Sequence, residues 1–158
     1  MMNEIQVEPL FKMRLNIQTP IDVGQGPEGH RMVVVIADGE VHGAKLSGTV
    51  IPNSGADWAR IRADGSLSID ARLCLKTDDG VIIYMIYNGR FTAASPKEMS
   101  EILNPARDTP IDKSTYYCRT AFFFETGDPN YSWLNNVVAI GTGQFENGGV
   151  NYIVHAVL

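Results

Sequence analysis

Leu67-Ser68-Ile69-Asp70-Ala71-Arg72-Leu73-Cys74-Leu75-Lys76-Thr77 alternates in polarity almost from end to end. Leu67, Ile69, Ala71, Leu73 and Leu75 take one parity; Ser68, Asp70, Arg72, Cys74 and Lys76 take the other. Successive side chains of an extended chain point to opposite faces, so this pattern describes a strand with one buried face. Asp79-Gly80 follows, and then residues 81–90, rich in isoleucine and tyrosine. Asp-Gly tolerates the positive φ of a tight turn, which makes the two runs a β-hairpin. Loop length sets the register. A two-residue loop places Arg72 opposite Tyr87, and a three-residue loop places it opposite Ile86.

The same alternation recurs over residues 7–17. Val7, Pro9, Phe11, Met13, Leu15 and Ile17 share one parity, and Leu10 is the apolar member of the other, with Glu8, Lys12, Arg14 and Asn16. Pro9 suits a strand start or an edge. Residues 32–37, 44–51, 115–125, 134–140 and 150–157 read as further strands. Turn residues separate most of them: Asp38-Gly39, Asn53-Ser54-Gly55, Gly127-Asp128-Pro129 and Asn147-Gly148-Gly149. One helix is marked. Ser95-Pro96-Lys97-Glu98 combines a hydroxyl cap, a proline at the first helical position and a glutamate placed to close a capping box. Met99, Ile102 and Leu103 form its apolar side, and Asn104-Pro105 stops it. Stretches 22–29 and 104–114 are expected to be mobile. About eight short strands with one short helix imply an all-β chain, a single antiparallel barrel spanning residues 1–158 as one domain. A barrel is preferred to a sandwich because closure removes exposed edges, and its interior is just wide enough to be filled or to hold one small ligand.

The 158 residues, 44% hydrophobic and 20% charged, exclude disorder throughout. Acidic residues outnumber basic ones by 18 to 13, for a net charge of -5, so no nucleic-acid or anionic-membrane partner is expected. Met1-Met2-Asn3-Glu4 lacks the basic flank and apolar run of a secretory signal, and no apolar run has the length of a membrane helix. Cys74 and Cys118 stand alone, as reduced thiols of a cytoplasmic protein.

Few motifs carry chemistry. Gly24-Gln25-Gly26-Pro27-Glu28-Gly29 has the spacing of a dinucleotide fingerprint, but a strand-like run follows where the mechanism needs a helix N-terminus, so the motif is rejected. No Walker loop or Gly-x-Ser-x-Gly elbow occurs. His30, His42 and His155 show no paired spacing, and neither metal nor cofactor is expected. Asp70 and Arg72 share a face that is either an ordinary solvated surface, the favoured reading from pattern alone, or the barrel lumen, where a guanidinium would hold a carboxylate or enolate. In Tyr116-Tyr117-Cys118-Arg119-Thr120-Ala121-Phe122-Phe123-Phe124-Glu125 aromatics occupy both parities, so both faces of this strand are expected to be covered. Tyr117, Arg119, Phe123 and Glu125 share one face, but Arg119 and Glu125 lie about 20 Å apart along a strand. Trp58 and Trp133, beside Asp57 and Asn135, either stack on a ligand at the barrel mouth or plug the barrel ends.

These residues resemble the domain-of-unknown-function family 3237 (uncharacterised protein family 0311), small bacterial and fungal proteins. The resemblance rests on Gly55-Ala56-Asp57-Trp58, Asp64-Gly65, Ile69-Asp70-Ala71-Arg72, Thr77-Asp78-Asp79-Gly80, Arg119-Thr120, Phe124-Glu125-Thr126-Gly127, Tyr131-Ser132-Trp133-Leu134-Asn135 and Ile140-Gly141-Thr142-Gly143. It implies a calycin-like barrel and carries no settled activity. Because Asp57, Trp58, Asp70, Arg72, Arg119, Glu125, Trp133 and Asn135 match its motif positions, it shifts part of this polar set toward a cavity role.

The expected function is small-molecule binding in a polar and aromatic cavity. Asp57, Trp58, Tyr87, Tyr117, Trp133 and Asn135 would hold the ligand. If the barrel is an enzyme, it is a lyase, isomerase or cyclase acting on a small oxygenated metabolite without a cofactor. Asp70, Arg72, Arg119 and Glu125 would carry the catalysis, with the arginine stabilising developing charge and Asp57, Asp70, Glu125 or Tyr117 moving the proton. A third reading is an interaction protein whose Tyr/Phe-rich strand forms a homo-oligomer face.

Overall fold

A computed structural model describes residues 3–158. Among the described residues the strands are β1 (Val7–Ile17), β2 (Ile21–Gly26), β3 (Gly29–His42), β4 (Gly48–Val50), β5 (Gly55–Asp57), β6 (Arg60–Ile61), β7 (Leu67–Thr77), β8 (Ile82–Ala93), β9 (Tyr116–Glu125), β10 (Ala139–Glu146) and β11 (Gly149–Val157), with one α-helix, α1 (Pro96–Leu103). All pairings are antiparallel and run β1-β11-β10-β9-β8-β7, then through the short β4, β5 and β6 to β3. β3 returns to β1 and closes the ring. Counting β4, β5 and β6 as one broken stave, the barrel has eight staves among the described residues.

The diagnostic hairpin closes through three residues. Thr77 and Val81 flank Asp78-Asp79-Gly80, and Gly80 takes a φ of 88° that costs a residue without Cβ nothing. Thr77 hydrogen-bonds through its amide and hydroxyl to the Val81 backbone. Arg72 therefore opposes Ile86, and Tyr87 opposes Ala71. The inward positions of β7 are all buried, while Arg72 and Lys76 are exposed.

Four expectations are corrected. In β1 the register slips between Pro9 and Phe11: Pro9 pairs with His155 and Phe11 with Val154. This bulge buries Leu10, the apolar residue that broke the alternation, and puts Val7 at the surface. Residues 22–26, expected to be mobile, form β2 and pair with the first half of β3. Of residues 44–51 only Gly48–Val50 is a strand, because Ser47 donates its hydroxyl to the Gly43 carbonyl and accepts from the Gly43 amide, bending the chain. Residues 134–136 belong to a 3-10 helix, Pro129–Asn136, whose Asp128 cap accepts from the Asn130 amide at 2.8 Å. Asp-Pro at a helix start is the signal that outweighed strand propensity there.

The helices 96–103 and 129–136 lie at opposite ends. α1 follows β8 at the upper end, started by the Ser95 hydroxyl, which accepts from the Glu98 amide at 3.1 Å, and it buries Met99 and Ile102. Helix 129–136 connects β9 to β10 at the lower end and inserts Leu134, fully buried, into the interior. Below the middle of the barrel the interior is packed with Phe11, Leu73, Leu75, Ile83, Met85 and Phe124. Phe11 meets Phe122 and Phe124 edge-on, with centroids 6.4 and 6.0 Å away. No helix among the described residues is long and apolar enough to cross a membrane.

Candidate active site

Asp57 ends the three-residue β5, between Val34 of β3 and Ala71 of β7. Both neighbours in register point inward, and so does the Asp57 carboxyl. One carboxyl oxygen accepts the Asp70 amide at 2.9 Å, anchoring the side chain to the adjacent stave. Facing Ala71, Tyr87 stacks on Phe122 with centroids 4.8 Å apart and meets Tyr152 of β11 edge-on at 5.3 Å. Gly143 makes the room. A Cβ there would lie 2.5 Å from the Cys118 sulfur and 3.1 Å from the Tyr152 ring.

Asp57, Tyr87 and Tyr152 are the polar residues of a chamber of about 50 Å³ whose other walls include Leu15, Ile36, Ile69 and Phe145. At the upper end it borders a second, more open cavity of about 500 Å³ beside α1, and Pro20, Met32 and Leu103 line both. The outer cavity is thus a vestibule, with Leu103 at the threshold.

Burial is the largest influence on the Asp57 carboxyl and pushes it up to about 7. The Asp70 amide pulls back down, the Asp70 charge adds to the rise, and the Arg31 guanidinium opposes it. The part of Asp57 left uncovered faces the chamber, whose lining is largely apolar, so desolvation prevails. Burial likewise raises the Tyr87 and Tyr152 hydroxyls; a hydrogen bond with Tyr152 draws Tyr87 partly back, whereas Tyr87 adds to the rise at Tyr152, and both stay protonated at neutral pH. Burial pushes the Cys118 thiol up to about 12, which leaves it unreactive.

Of the residues expected to act, the structure brings Asp57 and Tyr87 into one chamber. It places Asp70, Arg72, Arg119 and Glu125 on the outer face and not in the lumen, and there Arg119 lines an open cavity of about 530 Å³ with Arg90, Tyr117 and His155. Asp70 accepts from Asn88 at 3.1 Å and pairs with Arg72 at 3.4 Å, and both acid and base are more than one-third exposed. Arg119 lies over the Tyr117 ring, 4.8 Å from its centroid, and both are exposed. Trp58 also faces out, beneath Arg72 at 5.6 Å. Trp133 packs against the core from the lower helix, away from the chamber. Asn135 has both amide atoms engaged by the Thr126 backbone, at 2.8 and 3.0 Å, a structural clasp. Tyr152 and Leu103 were missed as site residues. Tyr152 had a signal, since it shares parity with Val150 and Val154; Leu103 had none beyond its place on the helix.

Fold and chamber define a small antiparallel β-barrel, packed solid below and hollow beneath a helix above. The chain belongs to the family described as "Protein of unknown function (DUF3237)", whose model matches residues 5–157. A UPF0311 protein of Rhodopseudomonas palustris is 34% identical over 98% of this chain and 97% of its own length. One from Clostridium acetobutylicum is 33% identical over 87% of this chain and 84% of its own. Among solved structures, a protein of Acinetobacter baumannii described as β-barrel-like is 31% identical, covering 99% of this chain and 98% of its own, with a TM-score of 0.83. A chain described as an enzyme from Penicillium herquei, 24% identical with a TM-score of 0.71 and covering 100% of this chain and 98% of its own, shares the fold.

Proposed function

We propose that the chain is a small-molecule-binding barrel that moves a proton on a neutral, oxygen-bearing metabolite held at the upper chamber. The observation that carries this reading is Asp57, a carboxyl facing an apolar chamber beside two buried tyrosines, its pKa raised to about 7. A carboxyl poised near neutrality takes up and returns a proton with little cost in either direction. Tyr87 and Tyr152, kept protonated by burial, are hydrogen-bond donors for an oxygen on which negative charge develops. They take the part that the sequence reading assigned to an arginine.

In this scheme Asp57 removes a proton from a carbon or hydroxyl of the ligand. The electron pair moves toward a carbonyl oxygen held by the tyrosines, and the proton returns at another atom or leaves with a departing hydroxyl as water. Isomerisation, ring closure and dehydration all balance on these terms. A neutral ligand fits because the chamber offers a carboxyl and no cationic side chain among its described lining residues. Its reacting end occupies the chamber and its bulk the vestibule past Leu103.

The test is to incubate wild type and Asp57→Asn separately with a metabolite extract and follow both by untargeted mass spectrometry. The expected result is a compound consumed by wild type, with a product of equal mass or one water lighter, and turnover at least about 100-fold slower in the variant. Equal turnover by both proteins, or a compound that wild type binds and returns unchanged, overturns the catalytic assignment.

A further inference from the structure

The outer face of the sheet opposite Asp57 carries a pattern that the chamber does not use. On β9 the outward residues are Tyr117, Arg119, Ala121, Phe123 and Glu125. Tyr117 and Phe123 are half exposed, at 51% and 50%, and Val138, just before β10, Ile140 and Ile153 extend the apolar surface across strands β10 and β11. Arg119 lies directly opposite Arg90 of β8. Like charges in register across a sheet are unfavourable. Among the described residues neither arginine has a carboxylate within ion-pair distance; Arg90 donates to Ser68 and to the Gly89 carbonyl, and Arg119 donates to the Cys118 carbonyl. Glu125, on the same face, has no ion-pair partner among the described residues either.

We infer that this face is a two-fold interface with a second copy of the chain, in which Arg119 of each copy meets Glu125 of the other. The positions are self-complementary. Arg119 and Glu125 lie three residues on either side of position 122, about 20 Å apart, too far to meet within one strand. An antiparallel β9 laid face to face across a two-fold axis at that position brings each arginine to the other copy's glutamate. The same axis sets Phe123 over Ala121, a large side chain against a small one. Two such seams form, as an isologous interface requires. Arg90 then flanks the incoming carboxylate, which accounts for two arginines in register. Packed sheets lie about 10 Å apart, a gap that Phe123, Ile140 and Ile153 fill.

The experiment is sedimentation velocity at about 1 to 100 μM on wild type, Arg119→Glu, Glu125→Arg and the double reversal, with circular dichroism to establish that each is folded. Wild type is expected to sediment as a dimer, at about twice 17.4 kDa. Each single reversal sets like charges against each other twice and weakens association by about tenfold or more, and the double reversal restores it. A monomeric wild type overturns the proposal. So does a dimer unaffected by either reversal and by Phe123→Ser. If the single reversals dissociate the dimer and the double reversal fails to restore it, the Arg119–Glu125 pairing is wrong.

Discussion

The lower and upper halves of the barrel are made from the same long strands and differ in what their inward positions carry. Below, Leu73, Leu75, Ile83, Met85 and Phe124 meet Leu134 from the closing helix and leave an apolar interior. Above, on the same staves, the inward positions bring in Tyr87 and Tyr152, and the short β5 adds a carboxyl. The lower half stabilises the fold by burying apolar surface. The upper half spends some of that stability on keeping a carboxyl out of water, in a chamber that adjoins the open cavity beside α1. Position along a stave, more than the strand it belongs to, separates structural from chemical residues here.

Three perturbations test that division, the largest first. Leu134→Ala removes the lower plug, and because the side chain is fully buried it is expected to lower stability by about 2 to 5 kcal/mol. Turnover of the folded fraction should not change. Urea unfolding alongside turnover corrected for the folded fraction checks both, and a large loss of turnover in folded protein breaks the division.

The second concerns pH. Asp57 holds its proton up to about pH 7 when folded and releases it near pH 4 when unfolded. Between those values the folded chain binds one more proton, so this group's contribution is fully present at low pH and fades as pH rises through 7. The slope is about -1.4 kcal/mol per pH unit, and the effect levels off above 7. Asp57→Asn keeps an oxygen for the Asp70 amide and removes the slope. Subtracting its stability curve from that of wild type between pH 4 and 8 isolates the term. A flat difference shows that the carboxyl is better solvated than its place in the chamber indicates.

The smallest effect is expected at Arg72→Met and Asp70→Asn. This exposed pair contributes up to about 1 kcal/mol, and neither residue reaches the chamber. Turnover should stay within about twofold of wild type, measured beside Asp57→Asn. A loss approaching that of Asp57→Asn would move the site to the outer face.

Alternation in residues 67–77 and 7–17, the Asp-Gly turn and the Ser95-Pro96 cap were enough for an all-β barrel with one helix, because period, turn residues and caps are local properties of the chain. The same local signals misread residues 134–136, where an Asp-Pro cap made a helix, and missed the bulge at Leu10. Asp57 and Tyr87 were identifiable as polar groups in a barrel. Asp70 and Arg72, from the same stretch, have an equally chemical look and sit outside. Alternation tells which residues share a face, and it assigns Asp70 and Arg72 to the polar one. It does not tell whether that face or its opposite encloses a cavity. Closure of β3 onto β1, the three-residue loop that turns Tyr87 inward, Gly143 opening space beside Tyr152, and Leu134 filling the lower end decide that together. A carboxyl's acidity depends on the water it loses, and only the closed barrel takes that water from Asp57.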